Sequence, residues 1–171
     1  MNRFVFKRPD RIYKEFFKIE RKMLQSKLSR IAKIEHVGST AVPGLGGKNS
    51  LDIAVGSKTG LRVPKAPLMQ LGYEFKKDSG SATRLFFLKQ ATYRGKRIRI
   101  HLHLMKLNGK DWNEMVLFRD YLIRNKGLLL EYIEVKKKAA KLAAGDKEIY
   151  KKAKNDFIKS VMKMAQQDIK A

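Results

Sequence analysis

The segment from Arg97 to Leu104 alternates strictly between polar and apolar side chains. Successive side chains of a β-strand point to opposite faces, so a period of two assigns every residue of this segment to one face. One face is aliphatic, and the other carries two guanidinium groups beside the imidazoles of His101 and His103. The alternation therefore predicts a strand that covers an apolar layer with one face and presents a polar face on the other side.

Four further strands are predicted from short apolar or β-branched runs that turn signals interrupt. They are Ala32–Val37, Ser50–Val55, Tyr73–Phe75 and Arg84–Lys89, with a hairpin turn near Gly95 before the alternating strand. Within the second of them, Asp52 lies on the face opposite to Leu51 and Ile53. We therefore expect its carboxylate to be presented rather than buried.

Apolar residues at helical spacing predict one helix before the sheet and three after it. Their start and stop signals are Pro9, Asp10 and Ser29 for the first helix, Asp111 and Gly127 for the second, Leu128 and Gly145 for the third, and Asp146 as the N-cap of the fourth. The predicted fold class is α+β, with a mixed sheet of about five strands packed by an N-terminal helix and a C-terminal layer of about three helices.

The length of 171 residues suits one domain with a sizeable core, and no linker divides it, so we expect a single domain over residues 1–171. The chain has no cysteine, which excludes disulfides and thiolate metal sites and is typical of a reducing compartment. Neither a secretory signal nor a run of about 20 apolar residues is present. We expect a cytoplasmic protein that does not interact with membranes.

The chain carries 39 Lys and Arg against 16 Asp and Glu, a formal charge of +23. Such a charge attracts polyanions, so nucleotides, other phosphorylated molecules and RNA are the expected partners, and a lysine-rich proteome is the alternative explanation. No acidic residue occurs from Ser79 to Lys110. After Leu128, by contrast, lysines alternate with acids, as on an ordinary solvated helix face. The centre of the chain is therefore expected to bind the anion.

A small-residue turn, Gly38, Ser39 and Thr40, follows the first predicted strand. Glycine permits close approach to the backbone, and N–H groups at a helix start bind phosphate, although a plain turn with an N-cap has the same sequence. Lys48 follows, where it can reach a polyphosphate as a point charge, and Asp52 comes next.

An acid on a strand after such a turn is the arrangement by which nucleotidyltransferases bring a triphosphate and a metal-binding carboxylate together. Two-metal phosphoryl transfer needs several carboxylates, however, and the next residue on the face of Asp52 is Ala54.

His101 and His103 share a strand face with Arg97 and Arg99. With Asp52 they form a candidate two-histidine, one-carboxylate metal site, but the guanidinium groups repel a metal cation and donate readily to phosphate. Three interpretations stay open: metal with phosphate, phosphate alone, and solvated histidines.

The run from Ile34 to Leu45, followed by Lys48 and Leu51–Ile53, closely resembles the signature of the GrpB family, which is placed in the nucleotidyltransferase superfamily. The resemblance covers nearly the whole chain, because it continues through His101, His103, Trp112, Phe118–Leu122, Tyr132, Lys136, Tyr150, Lys154, Phe157 and Ile158. It implies a polymerase-β-like fold with the Gly38-Ser39 turn and Asp52 where that superfamily holds nucleotide and metal. A similar domain is found fused to dephospho-CoA kinase, where it is thought to assist folding of the kinase.

We expect a nucleotidyltransferase-like protein that binds a nucleotide or phosphorylated metabolite, with metal-dependent nucleotidyl or phosphoryl transfer as its reaction class. Asp52 is the predicted catalytic residue, and with His101 and His103 it is predicted to bind a divalent metal, Mg²⁺ or Mn²⁺, with Zn²⁺ as the alternative. The predicted phosphate-binding residues are Gly38, Ser39, Thr40, Lys48, Arg97 and Arg99. The alternatives are a non-catalytic RNA-binding module and an accessory or folding partner of another enzyme.

Overall fold

A five-stranded mixed sheet is the centre of the fold in a computed structural model, which describes residues 6–28, 32–48, 50–144 and 146–169. The strands are β1 (Ala32–Val37), β2 (Leu51–Ser57), β3 (Glu74–Phe75), β4 (Arg84–Tyr93) and β5 (Lys96–Lys106). The helices are α1 (Ile12–Leu28), α2 (Ala66–Gln70), α3 (Lys110–Arg124), α4 (Lys126–Ala143) and α5 (Lys147–Asp168). The strand order is β1-β2-β5-β4-β3, in which β2 and β5 are parallel and the other neighbours antiparallel.

The predicted α+β class and all five predicted strands are confirmed. The hairpin between β4 and β5 turns at Arg94 (φ 48°) and Gly95 (φ 74°), as a two-residue loop with positive φ requires. Asp146 caps α5, since its Oδ1 accepts hydrogen bonds from the backbone N–H groups of Glu148 (2.8 Å) and Ile149 (3.0 Å). Ser29 and Gly145, the predicted ends of two helices, lie outside the described residues.

Two predicted helix signals are wrong. Gly109, not Asp111, is the N-cap of α3. The helix ends at Asn125 rather than at Gly127, because the Asn125 backbone N–H and side-chain amide both donate to the carbonyl of Tyr121, and Gly127 lies in the first turn of α4. A glycine needs no positive φ in a first helical turn, so it is tolerated there.

Helix α1 covers the aliphatic face of the sheet. Ile98, Ile100, Leu102 and Leu104 are almost fully buried in the main core, together with aromatic residues of α1. This is the apolar layer that the alternation of β5 requires, and it fixes which face of the sheet is polar.

The polar face is covered at only one end. Trp112 of α3 packs there with Val37, Met105 and the fully buried Ala54. A separate core joins α3, α4 and α5 to Val42 and Leu45, which belong to the segment between β1 and β2. This second core holds the C-terminal helices beside the turn that follows β1.

A buried charge lies between α1 and the sheet. Glu20 is completely buried, and its Oε1 accepts hydrogen bonds from the Tyr73 hydroxyl (2.8 Å) and from Lys89 Nζ (2.7 Å). Its other oxygen has no hydrogen-bond partner among the described residues. Lys89 is therefore the cation that compensates Glu20.

No helix in the described part of the chain is long and apolar enough to cross a membrane.

Lys89→Met is expected to lower the free energy of unfolding by about 3 kcal/mol, because it leaves the Glu20 carboxylate buried without its cation. The matched control is Lys96→Met, which breaks the more exposed pair with Asp10 and is expected to cost about 1 kcal/mol or less. Urea unfolding of both variants measures the difference. Equal losses would contradict the assignment of Lys89 as the essential counter-ion.

Candidate functional site

A cavity of about 250 Å³ lies between the polar sheet face, the turn after β1 and the C-terminal helices. Its walls come from the segment between β1 and β2, from the strands β2 and β5, and from the helices α3, α4 and α5. The residues that line the cavity are Gly38, Ser39, Val42, Leu45, Lys48, Ser50, Asp52, His101, Phe118, Arg119, Tyr132, Lys136, Tyr150 and Lys154. Of the residues predicted as functional, Gly38, Ser39, Lys48, Asp52 and His101 are thus brought together.

Asp52 and His101 form a hydrogen-bonded pair at the base of the cavity. They are direct neighbours in the parallel register of β2 and β5, and His101 Nδ1 lies 3.0 Å from Asp52 Oδ1. The Asp52 side chain keeps 19% of its surface exposed, so the expectation of a presented carboxylate holds only in part. Burial opposes ionisation of Asp52, but the hydrogen bond from His101 and nearby positive charge hold its pKa below the usual range.

The ionised Asp52 fixes the orientation of the His101 ring. A carboxylate only accepts hydrogen bonds, so His101 Nδ1 carries the proton that it donates to Asp52. In the neutral ring, Nε2 is then a proton acceptor. The pair is therefore chemically able to take a proton from a hydroxyl group or water molecule in the cavity.

Gly38 allows the turn after β1 to lie against Asp52. Its backbone has φ 71° and ψ −167°, a region that only glycine visits readily. A Cβ atom placed on Gly38 would lie 2.5 Å from Asp52 Oδ2. The requirement for glycine at this position comes from the closeness of the carboxylate.

Thr40 has a structural role and does not line the cavity. Its hydroxyl donates to the carbonyl of Ser50 (3.1 Å), and it lies 2.9 Å from His36 Nε2. Because a hydroxyl has a single proton, Thr40 accepts from His36 Nε2–H. The ring of His36 stacks on Phe17, and burial lowers the pKa of His36 to about 4, so this contact is made by a neutral imidazole.

Three lysine side chains converge on the cavity. Lys136 is only 4% exposed, and its Nζ donates to the Gly46 carbonyl at 2.7 Å. The Nζ atoms of Lys48 and Lys154 lie 4.7 and 4.8 Å from the centroid of the same Tyr150 ring. Against these cations the cavity lining offers one carboxylate, that of Asp52.

Burial lowers the pKa values of two of these lysines, Lys136 and Lys154. The pKa of Lys136 is lowered to about 7, mainly by burial and also by the charges of Lys154 and Lys48, while Asp52 opposes the shift. Burial also lowers the pKa of Lys154, again against the effect of Asp52. An anion in the cavity would relieve both penalties, because it stabilises the charged form of each lysine.

The positive charge of Arg119, by contrast, is compensated within the protein. Its Nη1 donates to Glu35 (2.9 Å) and to the carbonyl of His36 (2.8 Å), and its Nε donates to Asp120 (2.7 Å). Arg119 therefore ties α3 to β1, and the excess positive charge of the cavity comes from the lysines.

The predicted three-residue metal site is not assembled. His103 opposes Ala54 rather than Asp52 across the β2–β5 pair and does not line the cavity. Among the described residues, no three His, Asp or Glu side chains are placed to hold a metal ion. One carboxylate and one histidine beside three lysines are a poor donor set for a divalent cation. Metal binding by Asp52 and His101 stays a prediction.

A second carboxylate at position 54, the next residue on the face of Asp52, would not reach a ligand in the cavity either. Ala54 is fully buried under Trp112, so a larger acidic side chain there would meet the α3 helix instead of the cavity.

Arg97 and Arg99 lie outside the cavity, on the exposed part of β5. The cavity instead contains residues that the motif analysis left without a role: Phe118, Arg119, Tyr132, Lys136, Tyr150 and Lys154. The reading of the C-terminal lysines as a solvated face is wrong for Lys136, because α4 packs it against the segment before β2. The one sequence signal for these six was their place among the positions that resemble the GrpB signature.

Comparison with known proteins supports that resemblance. The profile of the family described as GrpB protein matches residues 4–164. The chain belongs to the GrpB family. A UPF0157 protein of Pseudomonas aeruginosa is 35% identical over 131 residues, which are 75% of this chain and 53% of that protein. This GrpB-family chain thus spans about half the length of that relative.

Two further proteins named GrpB agree over most of the chain. The glutamate-rich protein GrpB of Alkalihalophilus pseudofirmus is 29% identical and aligns over 88% of each chain. The crystal structure of conserved protein GrpB from Enterococcus faecalis has a TM-score of 0.80 at 24% identity, covering 98% of this chain and 100% of that one. The architecture is therefore that of a GrpB protein.

Gly38→Ala is expected to destabilise the protein by about 3 kcal/mol, since the added Cβ meets the Asp52 carboxylate and the backbone is strained. Gly60→Ala is the matched control: Gly60 also has a positive φ, of 66°, but nothing lies within 4 Å of its Cβ position. Thermal or urea unfolding of both variants measures the costs. If Gly60→Ala costs as much, the contact with Asp52 is not the cause.

The low pKa of Lys136 predicts a pH-dependent stability. Above pH 7 the folded protein loses the Lys136 proton while the unfolded chain keeps it up to its ordinary value of 10.5, so the free energy of unfolding rises with pH in this window. Lys136→Met is expected to remove about 2 kcal/mol of this rise between pH 7 and pH 9. The exposed Lys138 of the same helix supplies the control, Lys138→Met, which should keep the wild-type slope. Parallel curves for wild type and Lys136→Met in urea unfolding would contradict the prediction.

Proposed function

We propose that this GrpB-family protein binds a small phosphorylated metabolite, such as a nucleotide, in the cavity. The observation that carries the proposal is the convergence of Lys48, Lys136 and Lys154 on a small, partly open cavity whose lining includes a single carboxylate. Lys136 is buried and Lys154 half-buried beside the exposed Lys48, and cations held close together favour a ligand with several negative charges. A phosphate group supplies those charges.

The phosphate is placed between Lys136 and the turn after β1. A Cβ atom built on Gly47 would lie 2.9 Å from Lys136 Nζ and 3.0 Å from Ser39 Oγ, so these two donors flank the same point. Lys48 and Lys154 approach from the side of Tyr150. Ammonium and hydroxyl groups around one space match the acceptor oxygens of a phosphate.

The organic part of the ligand meets an aromatic wall. Tyr132 makes an edge-to-face contact with Phe118 at 5.5 Å and stacks on Phe157 at 5.1 Å, so its ring is held rigidly beside the cavity. The volume of about 250 Å³ lies just below the usual range of ligand pockets. A monophosphorylated sugar or nucleoside is therefore a better match than a dinucleotide.

Asp52 and His101 supply the chemistry of this site. Their pairing leaves His101 Nε2 as a proton acceptor facing a space in which the lysines hold a phosphate. This arrangement supports transfer or hydrolysis of the phosphoryl group: His101 Nε2 takes the proton of a hydroxyl group or water molecule whose oxygen bonds to phosphorus, the P–O bond to the organic part breaks, and the leaving oxygen takes a proton from a cavity lysine. The buried Ala54 and the surrounding lysines argue against two-metal transfer.

Calorimetric titration tests the proposal. The ligands are AMP, ribose 5-phosphate and inorganic phosphate, and the unphosphorylated controls are adenosine for AMP and ribose for ribose 5-phosphate. We expect the phosphorylated compounds to bind in the presence of EDTA, because the lysines neutralise the phosphate. Lys136→Met and Lys154→Met should each weaken binding at least about tenfold, equivalent to about 1.4 kcal/mol.

The control variant is Lys152→Met, which removes an exposed lysine from α5, the helix that carries Lys154. It should bind as the wild type does. Absence of binding throughout the panel, or wild-type binding by both cavity variants, would overturn the proposed function.

A further inference from the structure

The polar sheet face continues beyond the cavity as an exposed surface. Phe86, Leu88, Gln90 and Thr92 of β4 pair with His103, His101, Arg99 and Arg97 of β5, so these residues share one face. Gln90, Thr92, Arg97 and Arg99 are exposed, and Phe86 and Leu88 are half-buried. We call this surface the open face. It consists of Phe86, Leu88, Gln90 and Thr92 of β4 and of Arg97, Arg99 and His101 of β5.

The two faces of the β4–β5 hairpin differ in how their cations are compensated. On the side of α1, Lys89 pairs with Glu20, and Lys96 pairs with Asp10. At the hairpin tip, Arg94 pairs with Glu15 of α1 at 3.0 Å. Acids of α1, together with Asp10 just before it, thus neutralise the cations on that side.

Arg97 and Arg99 of the open face have no acidic partner within the described ranges. The sequence from Ser79 to Lys110 contains no acid that could supply one locally. The uncompensated positive charge of the hairpin is therefore concentrated on the open face.

The open face leads directly into the cavity. Arg97, Arg99 and His101 follow each other at every second residue of β5, which places them about 7 Å apart. Successive phosphates of an extended nucleic-acid strand have a comparable spacing. His101 belongs to both surfaces, because it ends this row and lines the cavity with Asp52.

Phe86 offers a surface for base stacking beside this row. Its ring centroid lies 5.4 Å from that of His101 and 5.2 Å from that of His103, so three rings form a cluster that includes one residue of the cavity lining, His101. A positive row next to aromatic rings is the combination by which proteins hold single-stranded nucleic acid without reading a particular sequence.

We propose that the open face binds single-stranded nucleic acid and that the terminal phosphate of the strand occupies the cavity. The inference rests on the proposed function for the position of that phosphate, and it extends the ligands of the cavity from small phosphorylated molecules to the phosphorylated end of an oligonucleotide. An acidic protein would also neutralise the charges of Arg97 and Arg99. It would not, however, stack bases on the aromatic rings or place a terminal phosphate in the cavity.

Fluorescence anisotropy with short labelled RNA and DNA strands, carrying a phosphate or a hydroxyl at the 5′ or 3′ end, tests the inference. We expect the phosphorylated strands to bind more tightly than AMP. The double variant Arg97→Gln/Arg99→Gln should lose at least about tenfold in strand affinity and reduce the slope of log affinity against log salt by about 1 to 1.5, since two phosphates are no longer neutralised. Its affinity for AMP should not change, because neither arginine lines the cavity.

The matched control is Arg11→Gln/Arg21→Gln, which removes the same charge from exposed positions in and just before α1, on the opposite side of the sheet. It should keep most of the strand affinity, whereas Lys136→Met should abolish the preference for a phosphorylated end. The difference between RNA and DNA strands shows which nucleic acid is bound.

Equal losses in the two double variants would overturn the inference, because binding would then follow net charge alone. A strand that binds no more tightly than AMP, or tighter binding of an acidic peptide than of any strand, would do the same and would leave the phosphate cavity intact. If the strands bind through Arg97 and Arg99 but AMP and inorganic phosphate do not bind at all, it is the proposed cavity function that fails.

Discussion

The parallel pairing of β2 with β5 is the constraint on which the site depends. It places Asp52 directly beside His101, and the antiparallel pairing of β1 with β2 brings Val37 and the following turn to the same point. A register shift of one residue in either pair would turn the carboxylate or the imidazole towards the aliphatic core. The buried residues of β5 prevent such a shift, so the hydrophobic layer under α1 is also what holds the polar pair in place.

The charge of the chain is distributed rather than uniform. Acidic residues of α1, with Asp10 just before it, neutralise one side of the β4–β5 hairpin, and Glu35 and Asp120 neutralise Arg119. Among the described residues, Arg97 and Arg99 of the open face have no acidic partner, and the cavity lining places three lysines beside one carboxylate. A formal charge of +23 alone would explain attraction to any polyanion, whereas this distribution assigns the attraction to two connected surfaces.

Local patterns were sufficient to predict most of the fold. Alternation assigned the faces of β2 and β5 and so predicted polar faces for Asp52 and His101, and the turn at Gly95 and the cap at Asp146 followed from short-range chemistry. The parallel register that pairs Asp52 with His101 was not predicted. The C-terminal lysines could not be predicted in this way. Lys136 is buried because α4 packs beside Gly46, a contact between residues far apart in the chain, and nothing in the helical spacing of its neighbours records it. The same limit applies to His103, because the register of β2 against β5, which places it opposite Ala54 rather than Asp52, also depends on contacts between distant parts of the chain.

The walls of the cavity belong to two separately packed layers, since Asp52 and His101 extend from the sheet while Lys136, Tyr150 and Lys154 extend from α4 and α5. The helical layer has its own core and meets the sheet through the segment between β1 and β2 and through Trp112 and Arg119 of α3. A molecule that binds residues of both layers therefore also connects the sheet to the C-terminal helices. Binding in the cavity and packing of the C-terminal helices against the sheet are therefore thermodynamically linked. A ligand that binds both layers stabilises their contact, and a looser contact weakens ligand binding.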